Sequence, residues 1–234
     1  MLKSSCAIQT EKGKKDDMKI KILLADDHKI FRDGLRALIN MEDDMEVIGE
    51  AENGRAALVL TRKLNPDIII MDITMPDMNG IEATRQLLVE MPNVKIIALS
   101  MHSDHRYVSG MVEAGASGYL LKDCDFTELI RAVRNVFQNK LYLSPDVTGV
   151  VVGAYKNRSS AFGQTPVSIL TSRERELLQL LAEGMKTSKI ASHLNISVKT
   201  VETHRRNIME KLNIGSNAEL VKYAIREGFT SIER

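Results

Sequence analysis

The sequence predicts a parallel α/β domain followed by a small all-helical one. Three observations carry this reading. From Lys19 onward, five short apolar runs alternate with stretches of helical period. A segment at 144–169 then carries Ser, Gly and Pro with little usable periodicity. From Leu170 the pattern is helical throughout, and it includes a short helix, a three-residue turn and a longer helix. A length of 234 residues also exceeds what one small module needs.

The first strand is expected at Ile20–Ala25, before an amphipathic helix with Phe31, Leu35, Leu38 and Ile39 facing inward. Val47–Ala51 is the second strand, and Ala56, Ala57, Leu60 and Leu64 mark the helix after it. Ile68–Met71 is the third, bounded by Pro66 and Pro76. The next helix carries Ile81, Leu87 and Leu88 and stops at Pro92. Lys95–Leu99 is the fourth strand, followed by a weaker helix from about His105 to Ala114 that Gly115 caps. Tyr119–Leu121 is the fifth. Asp125-x-x-Glu128 reads as a capping box opening a helix with Leu129, Ile130, Val133 and Phe137 inside.

Near-continuous apolar strands joined by helices call for a parallel sheet covered on both faces. With right-handed crossovers, the flavodoxin-like order 2-1-3-4-5 is favoured. The domain is placed at 18–143 and a linker at 144–169, where Ser144-Pro145 starts a short helix through Tyr155 unless Val150–Val152 forms a strand. Residues 1–17 read as a disordered tail, an upstream start or an added extension, with Met18 as the natural beginning. The helical domain occupies 170–234. Thr171-x-x-Glu174 is its first capping box, Leu177, Leu178 and Leu181 its first apolar stripe, and helices follow at Thr187–Leu194, Val198–Leu212 and roughly Asn217–Glu227.

The net charge of +1 argues, taken alone, against a nucleic-acid partner. Divided at the linker it becomes 15 Lys+Arg against 19 Asp+Glu in 18–143, a net of −4, and 11 against 8 in 170–234, a net of +3. The basic end is where nucleic acid is expected. Cys6 and Cys124 do not make a disulfide framework and fit a reducing cytoplasm. No apolar run approaches a membrane span, and the polar N-terminus lacks a signal peptide, so a soluble cytoplasmic protein without a membrane partner is expected.

Polar residues follow the strands: Asp26 and Asp27 the first, Asp72 the third, Ser100 the fourth and Lys122 the fifth. In a 2-1-3-4-5 sheet these ends are neighbours at the switch point where such folds bind ligands. Three carboxylates within ~5 Å repel by roughly 3 kcal/mol per pair at an effective dielectric of 20. A cation relieves this, and an oxygen donor set favours Mg²⁺ or Mn²⁺. Phosphoryl transfer follows, with Asp72 as nucleophile, Lys122 neutralising charge and Ser100 donating to a phosphoryl oxygen. Each Asp alone could equally be a turn or N-cap residue, but all at the right strand ends together favour a site.

Ala25-Asp26-Asp27-His28, Met71-Asp72-Ile73-Thr74-Met75-Pro76-Asp77-Met78-Asn79-Gly80, Leu99-Ser100 and Gly118-Tyr119-Leu120-Leu121-Lys122-Asp123 resemble the receiver domain of two-component response regulators. Leu170–Phe229 resembles the LuxR-type helix-turn-helix, and the whole resembles the NarL/FixJ family. The resemblance implies that Asp72 accepts phosphate from a phosphohistidine on a sensor histidine kinase. It implies a metal held by Asp27, Asp72 and the Thr74 carbonyl, with Asp26 acting through water. Ser100 and Tyr119 would form the switch pair. Lys122-Asp123 departs from the Lys-Pro of many receivers and leaves that loop's geometry open, although Lys-Asp is common in this family.

On Val198–Leu212, the residues Val201, His204, Ile208 and Leu212 share an inward face, and Lys199, Glu202, Thr203 and Arg206 lie opposite, as a recognition helix in the major groove requires. By resemblance Glu202, Thr203 and Arg206 contact bases, while Lys199, Thr200 and Arg205 touch phosphate. The last helix carries Ala218, Leu220, Val221 and Ala224, and the resemblance implies that it pairs with its twin in a homodimer on promoter DNA. At rest the receiver is expected to cover the recognition helix. His102 and His105 read as loop residues and Cys124 as a passive neighbour. A Mg²⁺-dependent phosphohydrolase is the enzymatic alternative, disfavoured because Thr74 stands where such enzymes place a second Asp. A phosphate-independent regulator is the third reading.

Overall fold

The five apolar runs become strands of one sheet because each places its side chains alternately into two separate cores. The computed structural model describes residues 19–150 and 169–230. The strands β1 (Ile20–Ala25), β2 (Met45–Ala51), β3 (Ile68–Met71), β4 (Lys95–Ser100) and β5 (Gly118–Leu121) alternate with helices α1 (Lys29–Ile39), α2 (Gly54–Leu64), α3 (Gly80–Glu90), α4 (His105–Ala114) and α5 (Phe126–Phe137). Leu23, Ile69, Ile96 and Ala98 face the core that includes residues of α2, α3 and α4. Ile22, Ile68, Ile70 and Leu99 face the core shared with α1 and α5.

All pairings are parallel, in the order β2-β1-β3-β4-β5-β6. The expected order holds, with a strand added. This β6 (Tyr142–Leu143) pairs with Gly118 and Tyr119 at the sheet edge. Two residues carry no periodicity, so it left no signal in the sequence. Residues 145–150 are helical, as the Ser144-Pro145 start suggests. The remainder of that helix to Tyr155, the rest of the linker and the 1–17 tail lie outside the described residues.

Two local expectations fail. Asp125 is the N-cap of α5, but its side chain makes no capping hydrogen bond. Glu128 instead accepts from the Tyr142 hydroxyl, so the expected box is not formed. Leu38 and Phe137 are exposed, because Ile39 and Val136 take the adjacent inward positions. The open question of the Lys122-Asp123 loop is also answered. Among the described residues there is no cis peptide bond, so this link is trans.

The helical part comprises α6 (Ser172–Ala182), α7 (Thr187–His193), α8 (Val198–Leu212) and α9 (Asn217–Arg226). The Thr171–Glu174 capping box is present in full. Asn195 adopts the left-handed conformation (φ 55°) in the turn, and Ser197 caps α8 by accepting from Thr200 N–H. Leu177, Leu178, Ile190, Val201, Ile208, Leu220 and Ala224 form the core. Leu180 is fully buried while Leu181 is only partly so. Glu174, Glu176 and Gln179 are buried too, so α6 is covered on more than its apolar stripe.

The second cover of α6 is the sheet domain. Arg175 Nε donates to Glu82 Oε2 at 2.6 Å, and Arg55 Nη2 meets Glu176 Oε1 at 2.5 Å. Arg106 Nη1 donates to the carbonyls of Ile225 (3.3 Å) and Arg226 (2.6 Å) at the end of α9. These contacts correct the expectation that the sheet domain covers the recognition helix. It packs on α6 and the C-terminal end of α9, and Lys199, Thr203 and Arg206 of α8 remain exposed.

Candidate functional site

Register brings the polar residues together. Ala25 pairs with Met71 and Met71 with Ala98, so Asp26 and Asp72 leave adjacent strands at one level. Asp72 N–H donates to the Ala25 carbonyl at 2.7 Å, and Lys122 N–H to the Ser100 carbonyl at 2.8 Å. Asp26, Asp72 and Ser100 are 4%, 2% and 0% exposed. Lys122 Nζ lies 2.6 Å from Asp26 Oδ2 and 2.9 Å from Asp72 Oδ2, and 4.9 Å from the centre of the Phe31 ring. Lys122 therefore bridges two buried carboxylates.

Asp72 Oδ1 accepts from Ile73 N–H at 2.7 Å and, more weakly, from Thr74 N–H at 3.4 Å. Burial pushes the Asp72 carboxyl above its ordinary pKa; Lys122 opposes this and the Asp26 charge adds to it. For Lys122, burial lowers the ammonium, but the two carboxylates outweigh it and the net direction is upward. Asp26 Oδ1 accepts from His28 N–H at 2.8 Å, so this residue also makes the local turn expected of an Asp after a strand.

Two neighbours of the pocket were assigned no role from the sequence, although His28 ends the Ala25–His28 motif. His28 Nδ1 lies 3.2 Å from Asp26 Oδ1 and 3.1 Å from Asp27 Oδ1. Arg32 is buried and donates to the Asp26 carbonyl. Their positions at the first turn of α1 are visible in the sequence, but nothing in residue type separates them from solvated helix residues. Oxygens of Asp26, Asp27 and Asp72 and a nitrogen of His28 lie within 4.8 Å of one another. This donor set, dominated by carboxylates, fits a hard divalent cation.

Ser100 Oγ accepts from His102 N–H at 3.1 Å, and the hydroxyl of the buried Tyr119 donates to the His102 carbonyl at 2.6 Å. Burial pushes the Tyr119 phenol far above its usual range. His102 stacks on Tyr107 with ring centroids 4.5 Å apart. It is therefore a packed link between Ser100, Tyr119 and α4, more than the loop residue expected. Cys124 is a free thiol pushed up to about 11 by burial, which leaves little thiolate at neutral pH.

On α8, Val201 and Ile208 are buried, whereas His204 and Leu212 are only partly so. Arg206 is 70% exposed at its side chain and lies 3.7 Å from Glu210. Arg205 and Glu202 form a 2.6 Å pair, so these two neutralise each other along the helix. Thr203 Oγ1 donates to the Lys199 carbonyl. Thr200 is half-buried beside its capping partner Ser197, at 2.8 Å between hydroxyls. Leu220 and Ala224 of α9 are buried in their own domain, and Ala218 and Val221 are left toward its surface. No helix among the described residues is long and apolar enough to cross a membrane.

An acidic pocket at the strand ends of such a sheet, joined to a helix-turn-helix, defines a two-component response regulator. Residues 22–134 match the response regulator receiver domain, and residues 168–224 match the luxR family of bacterial regulatory proteins. The chain is 40% identical to the transcriptional regulatory protein DegU of Brevibacillus brevis, over 93% of this chain and 98% of that one. It is 39% identical to the oxygen regulatory protein NreC of Staphylococcus carnosus, over 89% and 98%. A solved structure of RcsB from Salmonella enterica serovar Typhimurium, bound to promoter rprA in the presence of phosphomimetic BeF₃⁻, is 26% identical with a TM-score of 0.55, covering 88% of this chain and 98% of that one. The chain belongs to the NarL/FixJ family of response regulators, which are transcription regulators.

Proposed function

We propose that this protein is a transcription factor switched by phosphorylation of Asp72, and that it binds promoter DNA as a dimer through α8. The observation that carries the reading is the convergence of Asp26, Asp27, Asp72, Ser100 and Lys122 at adjoining strand ends. An Asp72 carboxylate oxygen attacks the phosphorus of a phosphohistidine on a sensor histidine kinase. The P–O bond forms, the P–N bond breaks, and the imidazole leaves. Lys122 is within reach of Asp72 and offsets charge on the acyl phosphate. Ser100 offers its hydroxyl to a phosphoryl oxygen, and Tyr119 changes rotamer with it. Asp26, Asp27, Asp72 and the Thr74 carbonyl would hold Mg²⁺ or Mn²⁺, which when bound supplies charge neutralisation for the transferred group. Asp26 contributes through water. Incubation with acetyl phosphate and Mg²⁺ is expected to add one phosphate to the wild type and none to Asp72→Ala. Equal labelling of both would remove Asp72 from its role.

On DNA, Glu202, Thr203 and Arg206 are proposed to read base edges, and Lys199, Thr200 and Arg205 to touch phosphates. The exposure of Lys199, Thr203 and Arg206 on one face of α8 supports α8 as the helix that meets DNA. A net charge of only +3 on 170–234 makes non-specific binding by one domain weak, so tight binding depends on pairing two. Arg206→Ala is expected to weaken binding by about 1–3 kcal/mol and relax one base preference, whereas Lys199→Ala lowers affinity evenly and reduces the salt slope by about one unit. Binding isotherms on an operator and its single-base variants at several salt concentrations test this. Uniform loss from both variants would contradict it.

A further inference from the structure

The chain leaves β1 through Asp26 and Asp27, and the backbone there is tied on both sides. Asp26 N–H donates to the Ala51 carbonyl of β2 at 3.0 Å. The Asp26 carbonyl accepts from Arg32 Nη1, in the first turn of α1. That carbonyl belongs to the planar peptide joining Asp26 to Asp27. Fixing its orientation fixes the direction in which the Asp27 side chain leaves the backbone. One guanidinium thus bears on two of the three carboxylates that meet in the pocket.

Arg32 is 9% exposed, and a buried guanidinium is costly unless its donors find partners. Its Nε lies 3.4 Å from Glu50 Oε2, and Glu50 Oε1 lies 3.0 Å from Arg36 Nη1. Glu50 stands on β2, opposite Leu24 of β1. The guanidinium therefore spans from the neighbouring strand to the Asp26–Asp27 peptide, a reach that a planar fork of donors allows and a single ammonium does not. The carboxylates of Asp26 and Asp72 are neutralised by Lys122 instead. Phe31, the residue before Arg32, lies against that ammonium. Charge pairing and backbone placement fall to different residues.

We propose that Arg32 is a positioning residue for the divalent cation of the pocket, acting through the Asp26–Asp27 peptide rather than by contact with the ion. The proposal rests on the reading of the acidic pocket as a cation site. Groups that orient metal ligands are worth roughly 10–100-fold in metal affinity. The sign of the effect separates this role from a purely electrostatic one. As a charge alone, Arg32 repels a cation, and its removal tightens binding. As a positioning residue it favours the geometry that binds, and its removal weakens binding.

The test titrates the full chain with Mn²⁺ and follows the free ion by electron paramagnetic resonance. Arg32→Met is expected to weaken binding on the order of tenfold. Arg32→Lys keeps the charge and loses the fork, so its loss is smaller and in the same direction. Arg134→Met removes an Arg that pairs with Glu42 and Asp44 outside the pocket, and it is expected to bind Mn²⁺ as the wild type does. Circular dichroism shows which variants are folded; should Arg32→Met be misfolded, Arg32→Lys decides. Binding as tight as in the wild type, or tighter, in a folded Arg32 variant overturns the proposal. An equal loss in Arg134→Met overturns it as well, since general loosening would then be the cause. A wild type that binds no Mn²⁺ overturns the cation site itself, which none of the other outcomes does.

Discussion

Lys122→Met is expected to destabilise the receiver by about 3–5 kcal/mol at neutral pH in EDTA, the usual cost of removing one partner from a buried ionic pair. The Lys122 side chain is 7% exposed and stands between Asp26 and Asp72. Methionine keeps most of the volume and none of the charge, so two buried carboxylates would face each other. The sign of the pH dependence follows from Asp72. Its folded-state pKa is already raised by burial, with Lys122 the largest opposing influence. Removing Lys122 raises it further. A group with a raised folded-state pKa favours folding below its unfolded pKa, and that contribution is lost as pH rises through the folded value. The deficit of the variant is thus largest at pH 7 and shrinks as pH falls toward the ordinary carboxylate range of about 4. Urea unfolding at both pH values measures it. Matching midpoints for variant and wild type at pH 7 would show that the pairing carries no stability.

Gly80→Ala is expected to cost about 3 kcal/mol and to slow phosphorylation by roughly a hundredfold. A Cβ at this position would lie 2.0 Å from the Asp72 carbonyl oxygen and 3.0 Å from Met71 Cγ. The first is backbone and cannot swing aside, so relief requires moving the peptide that carries the phosphoacceptor. Gly34 lies in the interior of α1, and a Cβ added there would meet nothing within 4 Å. Gly34→Ala should therefore stabilise by about 0.5–1 kcal/mol. Thermal unfolding of the two variants side by side separates contact from propensity, and similar losses in both would rule out the contact at Asp72 as the cause.

The sheet was legible because its strands are buried on both faces. Ile68–Met71 is an uninterrupted apolar run between two prolines, and no helical assignment fits four such residues. The acidic pocket was legible for a related reason: topology fixes where strands end, so Asp26, Asp72 and Lys122 converge whatever their side chains do. Periodicity does not describe how polar side chains partner one another. Glu128 had the spacing of a capping residue and bonds Tyr142 instead. Gln179 had the character of a solvated helix residue, yet it is buried because a second domain covers it. The expected masking of α8 failed for the same reason, since two amphipathic faces do not reveal which surface a neighbouring domain will occupy. Arg206 and Lys199 were placed correctly on an outward face by helical spacing alone.

The small strand β6 also limits how copies of this receiver can associate. A sheet rim with free backbone groups invites another chain to add a strand. Here β6 covers Gly118 and Tyr119 on one rim. The opposite rim, β2, has a register shift against β1 between Ile22 and Leu23 and carries Glu46 and Glu50. The β5 edge is thereby covered at Gly118 and Tyr119, and the irregular, acidic β2 rim is a poor template for an added strand.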